Sequence, residues 1–233
     1  MSPRSGTRPV DTATIACDPA RVELEAENSL HARCRLLVST PAAWVAAAIP
    51  SLSTLLVEQA HLEKKAAAAA MRFLFSHGTE PWIQRALSCI AREELVHFER
   101  TLRLLDQRGA SFTTLPPSRY ADRLKAAIAP TMPERAVDEL LVASLIEARS
   151  HERMEALGLA LSGVDDAASA FYLDLVEAEA RHRCLYLDIA ASLVDANEVE
   201  RRFLRLAQVE REAILQRDEV MRLHSGHGSH DNA

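Results

Sequence analysis

An all-helical bundle is the architecture this sequence predicts, and three observations predict it. Ala, Leu, Arg and Glu dominate, aromatic residues make up only 5%, and the strand-like runs of Val, Ile and Thr are missing. Apolar residues recur at steps of three and four over long stretches, the period of an amphipathic helix. Helix start and stop residues then cut the chain into segments of helical length. At 233 residues the chain can bury a full core as one domain, residues 1–233.

Taken in order, residues 1 to about 20 show no periodicity and read as a loose tail. Ala20 to Val38 is mixed, helical in part. Thr40-Pro41 opens a short helix over Ala42 to Ile49, which Pro50 ends. Ser51 or Ser53 caps a long helix running to about Phe75, whose Ala66 to Ala70 run lets a neighbouring helix approach closely. Gly78 and Pro81 break it. The next long helix spans Pro81 to Arg108, with Gly109 suited to terminate it. Residues 109–132 form the longest connection and hold a short helix near Ser118 to Ala129. Pro133 starts a third long helix to about Leu161, and Asp165 or Asp166 caps a fourth over Ala167 to Asp195. Asn197-Glu-Val-Glu200 has the capping-box pattern and opens a fifth helix to about Leu223. Residues 224–233 read as a frayed tail. A long crossover between two helix pairs suits a four-helix bundle with additional flanking helices.

Composition excludes several classes. Cys17, Cys34, Cys89 and Cys184 are scattered with no Cys-x-x-Cys pair, which argues against a zinc knuckle or a disulfide framework and for a reducing, cytoplasmic setting. The amino end lacks the apolar stretch of a signal peptide, and the longest apolar runs are too short to span a bilayer. A net charge of −6 argues on its face against nucleic acid, but carboxylates that bind cations inside a core would offset it.

Chemistry enters on the long helices. The inward stripe of the second reads Ile83, Leu87, Ile90, Glu94, His97, Thr101, Leu104, so a carboxylate and an imidazole sit side by side on an apolar face. The fourth repeats it as Phe171, Leu175, Glu179, His182, Tyr186, Ile189, Leu193. Buried charges are costly unless paired or metal-bound. Upstream, Glu63 precedes Glu94 by 31 residues and Glu147 precedes Glu179 by 32. Glu, Glu-x-x-His, Glu, Glu-x-x-His over four helices is the ligand set of a ferritin-like dimetal carboxylate bundle. Carboxylates bridge two metals, and one His per metal completes a mixed shell that suits iron or manganese, with open positions for oxygen.

A third Glu-x-x-His, Glu58 to His61, needs a decision. Glu58 and Glu63 point about 140° apart on one helix, so only one can face the metals, and the matched spacing favours Glu63. Glu58 then lies on a solvated face or behind the ligands, with His61 exposed or a hydrogen-bond partner. Glu93, Glu99, Glu152 and Glu155 read as outward charges, and His151 as a structural group or a partner behind the ligands. The plainer alternative is a metal-free helical interaction module in which these groups pair with Arg.

Several stretches resemble the bacterial tRNA 2-methylthio-N6-isopentenyladenosine hydroxylases: His61-Leu-Glu-Lys-Lys-Ala-Ala67, Ala91 to Glu99, Ser118-Arg-Tyr-Ala121, Ile146 to Arg153, Glu179 to His182 and His224-Ser-Gly226. One departure is His151, where the family is expected to carry Cys. The resemblance implies a di-iron monooxygenase that uses O2 and two electrons to hydroxylate the isopentenyl group of a modified adenosine beside the tRNA anticodon. It implies two irons on Glu63, Glu94, His97, Glu147, Glu179 and His182, no side-chain nucleophile, and an electron-donor protein or reductase as partner. A ferritin-like iron oxidase or storage protein, or a peroxidase, is the rival within the fold, although no rubredoxin-like cysteines exist. For tRNA itself, Arg100, Arg103, Arg149 and Arg153 are expected on the outside of the bundle near the ligand-bearing turns, suited to phosphate contacts.

Overall fold

The computed structural model describes residues 29–77, 80–116 and 118–226. Among these the chain forms α1 (Leu30–Arg33), α2 (Ala42–Ala48), a 3-10 turn (Ile49–Ser51), α3 (Leu52–Ser76), α4 (Pro81–Gln107), α5 (Tyr120–Ala126), α6 (Glu134–Leu161), α7 (Asp166–Leu193) and α8 (Ala196–Leu215), with no strand. The helix-breaking Gly78, the expected tail before residue 20 and the histidines beyond Gly226 lie outside the described residues.

Helices α3 and α4 pair tightly, as do α6 and α7, and the α4–α6 connection carries α5 across the bundle. This is the ferritin-like four-helix arrangement, with α8 packed on α5, α6 and α7 as a flanking helix. The helix ends follow local chemistry. Gly109 adopts φ +64°, which its missing Cβ permits, and its N–H closes on the Asp106 carbonyl at 3.0 Å. Asp165 caps α7 by accepting from the Ala168 N–H. For α8 the cap is Asp195, accepting from Asn197 and Glu198, two residues ahead of the capping box expected at Asn197.

The core explains where a polar site fits. One apolar cluster gathers Ile83, Leu87 and Ile90 of α4 with Leu141 and Leu145 of α6 and Tyr186 and Ile189 of α7. A second gathers Leu55 and Leu56 of α3, Leu104 of α4, Leu157 of α6, and Phe171 and Leu175 of α7. On every long helix the candidate metal residues fall between the segments that build these two clusters. The polar layer is therefore closed above and below by hydrocarbon.

Two expectations about the carboxyl end are corrected. Helix α8 stops at Leu215, not near Leu223, and residues up to Gly226 fold back against α2, α3 and α6 rather than fray. Trp44 Nε1 donates to the Arg222 carbonyl at 3.2 Å, and the Leu223 N–H donates to Glu58 at 2.6 Å. Arg153 donates to the carbonyls of Leu223 and Ser225. A side chain at Gly226 would place its Cβ 1.8 Å from the Gln216 carbonyl oxygen, so only glycine closes this strap. Glu58 is thus neither solvated nor at the metal layer: it is 5% exposed and anchors the strap. Burial raises its pKa to about 7, although the Leu223 N–H and Arg222 oppose the rise.

That shift has a testable sign. A carboxyl whose folded pKa lies above its unfolded value of 4.5 gives stability that is complete below pH 4.5 and is lost as pH rises through about 7. Glu58→Gln, which stays neutral and still accepts from Leu223, is expected to be more stable than wild type at pH 8 by about 2 kcal/mol. Glu58→Ala, which orphans the Leu223 N–H, is expected to be less stable by about 1–3 kcal/mol. Thermal unfolding of the two variants across pH 4 to 8 checks both signs.

Candidate metal centre

All six predicted candidates are buried and converge at one level of the bundle. Glu63, Glu94, His97 and Glu179 bring ligand atoms within 4.8 Å of one another, and so do Glu94, Glu147, Glu179 and His182. Glu94 and Glu179 belong to both groups, so the two sets of ligand atoms adjoin. His97 Nδ1 lies 3.5 Å from Glu94 and 4.0 Å from Glu63, while His182 Nδ1 lies 2.8 Å from Glu94. Among the described residues, these imidazole nitrogens and both Glu94 oxygens complete no regular hydrogen bond, although His182 Nδ1 lies 2.8 Å from Glu94. Buried polar atoms without partners cost several kcal/mol in a finished core, on the order of 1–3 each. They are what a ligand shell looks like from the protein side.

The donor set fits the group its geometry suggests. Four buried carboxylates carry charge that two divalent cations would cancel, and two imidazoles supply nitrogen without adding charge. No thiolate among the described residues joins them, which disfavours copper or a closed zinc site.

Without cations, protons compensate. Burial raises the Glu63 and Glu179 carboxyls well above their usual range, reinforced by neighbouring carboxylates, and raises Glu147 to about 7. Glu94 goes the other way: burial opposes ionisation, but adjacent His182 and His97 hold it below the usual range. Burial pulls His182 down, and contacts with Glu93 and Glu94 outweigh this and lift it to about 10. Metal must therefore displace protons from His182 and the raised carboxyls, so apparent metal affinity is expected to fall as pH drops from 8 to 6. Calorimetric titration in buffers of different ionisation enthalpy is expected to show proton release on loading.

Glu93 is a residue that sequence reasoning placed outward and the structure does not. Its Oε2 accepts from His182 Nε2 at 2.7 Å, and Arg181 steadies its other oxygen at 3.5 Å. A carboxylate only accepts, so Glu93 keeps a proton on Nε2, and the proton a metal would displace is the one on Nδ1, which faces the centre. Gln59 similarly donates to Glu63 at 2.6 Å. His61, half-buried, lies 2.7 Å from the Thr113 carbonyl, and His151 bonds the Val176 carbonyl at 3.0 Å, so both are structural. Glu152 also turns inward, accepting from Thr40 N and Oγ1 and from Arg149.

The arginines expected outside divide. Arg149 and Arg153 are fully buried, which removes them as phosphate contacts. Arg149 bonds Glu210, Glu152, Thr40 and the Val38 carbonyl, while Arg153 holds the carboxyl-terminal strap and stacks over Trp44 at 4.4 Å. Arg100 pairs with Asp174, and Arg103 lies 3.9 Å from Glu99.

A cavity of about 180 Å³ connects the polar layer to the surface. Glu63, Glu94, Glu147 and Glu179 line its inner end, and the exposed Lys65 and Lys125 line its outer end. Between them stand the apolar Leu62, Ala66, Ala69, Ala143, Ile146 and Met154. Glu58, Ser150 and His224 form a polar side, with Ser150 Oγ 3.1 Å from His224 Nε2. The alanine run of α3 thus opens space: Ala66 and Ala69 face the cavity, while Ala67 and Ala70 pack in the bundle.

A ferritin-like bundle with a buried cluster of four carboxylates and two histidines that could hold metal, reached by a largely apolar cavity, defines the class of the four-helix carboxylate proteins. Residues 29–225 match the model of the tRNA-(MS[2]IO[6]A)-hydroxylase (MiaE) family, and the chain belongs to that family. The tRNA 2-(methylsulfanyl)-N(6)-isopentenyladenosine(37) hydroxylase of Pseudomonas putida is 36% identical over 187 residues, 80% of this chain and 90% of that protein. The hydroxylase of the same name from Salmonella typhimurium is 33% identical over 150 residues, covering 63% of this chain and 54% of its own length. Among solved structures, Protein 43 with aldehyde deformylating oxygenase activity from Synechococcus superposes with a TM-score of 0.78 at 36% identity, covering 84% of this chain and 98% of that one. No helix among the described residues is long and apolar enough to cross a membrane.

Proposed function

We propose that this protein is an O2-dependent monooxygenase that hydroxylates the isopentenyl side chain of 2-methylthio-N6-isopentenyladenosine next to the tRNA anticodon, in the cytoplasm. Two iron ions would be held by Glu63, Glu94, His97, Glu147, Glu179 and His182. The observation that carries this reading is the cavity: a largely apolar passage whose inner end is the carboxylate cluster, in a chain of the hydroxylase family. A methyl C–H becomes C–OH, one oxygen atom of O2 enters the product and the other leaves as water. Two electrons and two protons come from outside, which calls for an electron-donor protein or reductase.

Bound iron would supply the reduction of O2 and the oxidation of the unactivated methyl group. The chain's own residues do the rest. Glu93 fixes the His182 tautomer, and Gln59 orients Glu63. Leu62, Ala66, Ala69, Ala143, Ile146 and Met154 give a prenyl group hydrocarbon contact and exclude water from the centre. Ser150, Glu58 and His224 offer hydrogen-bonding atoms to the purine edge. Burial, reinforced by Arg153 and Arg149, holds His224 well below the usual histidine range, so it serves as a neutral donor or acceptor.

A second reading has one observation behind it, the solved relative titled for aldehyde deformylating oxygenase activity. The test is to incubate iron-loaded protein with a chemical reductant and air, in parallel, with tRNA carrying the prenylated adenosine and with a long-chain aldehyde. Hydroxylated nucleoside after tRNA digestion supports the proposal. Formate release with no nucleoside change contradicts it.

A further inference from the structure

The chain has three lysines among 27 basic residues, and two of them, Lys65 on α3 and Lys125 on α5, meet at the outer end of the cavity. A second, more open depression adjoins the first and shares Lys65, Ala69, Lys125, Ala143 and Ile146 with it. Its other charged residues are Arg72, Arg135 and Glu139. The two arginines share the one carboxylate, at 2.7 and 3.1 Å. Lys65 and Lys125 are exposed, and neither makes an ion pair among the described residues. A chain of net charge −6 therefore presents four cations against one anion along the depression that adjoins its cavity.

We propose that Lys65 and Lys125 form the phosphate-docking site for the RNA strand whose modified base enters the cavity, and that Arg72 and Arg135 extend this track along the adjoining depression. The inference rests on the proposed activity and adds where the RNA sits. A base that must reach a buried centre leaves its stack, and its backbone stays at the surface with a phosphate on either side. Cations contributed by two different helices at the opening meet that need. Lysine ammonium groups on flexible stems act as point charges and tolerate the adjustment a splayed strand requires. The site replaces the buried Arg149 and Arg153 and the acid-paired Arg100 and Arg103 as the nucleic-acid surface.

Binding of the anticodon stem–loop RNA carrying the prenylated adenosine, measured from 50 to 300 mM salt, tests this. Lys65→Ala/Lys125→Ala is expected to reduce the slope of log affinity against log salt by about 1.5, the release of about two counterions. Its KM for tRNA is expected to rise about tenfold or more, with metal content unchanged. Lys65→Arg/Lys125→Arg keeps both charges and is expected to keep the slope. If wild-type protein converts the tRNA nucleoside and the alanine double variant shows an unchanged slope, the docking site is overturned while the activity stands. If wild-type protein converts no tRNA nucleoside, the activity falls and the docking site with it.

Discussion

Replacing Glu94 with Ala is expected to empty the centre, from about two metal ions per chain to fewer than one, and to abolish turnover. Glu94 belongs to both groups of converging ligand atoms, and neither of its oxygens has any other partner. It also lies against both imidazoles, so its loss takes a donor from both groups and frees His97 and His182 together. Glu93→Gln, one residue away, removes only the anionic partner of His182 Nε2. That change is expected to weaken metal binding by about 10- to 100-fold without emptying the site. Elemental analysis after anaerobic loading separates the two outcomes, and circular dichroism shows whether the helices persist.

The second large effect is structural. Arg149→Ala is expected to destabilise the fold by about 3–5 kcal/mol, lowering the melting temperature by on the order of 10 °C. Arg149 is fully buried and bonds Glu210 twice, at 2.7 and 3.0 Å, along with Glu152, Thr40 and the Val38 carbonyl. Without it, the buried Glu210 carboxyl loses its guanidinium partner and keeps the Tyr120 hydroxyl, 3.1 Å away. Arg103→Ala, by contrast, removes an exposed 3.9 Å ion pair on α4 and is expected to change stability by less than about 1 kcal/mol. Chemical denaturation of both variants gives the comparison directly.

What the sequence made legible was whatever one helix could declare by itself. Glu94 with His97 and Glu179 with His182 stood out because each pair interrupts an apolar stripe, and the 31- and 32-residue offsets then selected Glu63 and Glu147. The same logic set Glu58 apart from the metal layer, where the structure also leaves it. Residues whose roles depend on a distant partner were not legible. Glu93 faces out by helical angle, yet α7 packs there and brings His182 to it. Arg149 and Arg153 look like surface residues until Glu210, 61 positions from Arg149, and the strap at Leu223 to Ser225 cover them. The end of α8 was misjudged for a related reason. Arg, Leu and His continue a helical composition past Leu215, and what stops the helix is long-range anchoring by Trp44, Glu58 and Arg153. Lys65 and Lys125, 60 residues apart, carried no joint signal until α3 and α5 brought them to one opening.

The carboxylate–histidine layer is proposed to serve O2-dependent hydroxylation of the group that fills the cavity above it. Its most direct measurement is a single turnover of iron-loaded protein with prenylated tRNA under isotopically labelled dioxygen, followed by mass analysis of the released nucleosides. Wild-type protein is expected to place one labelled oxygen atom on the prenyl side chain of the modified adenosine, and Glu63→Ala none. An unmodified nucleoside from fully iron-loaded wild-type protein, or an incorporated oxygen that comes from water, would contradict it.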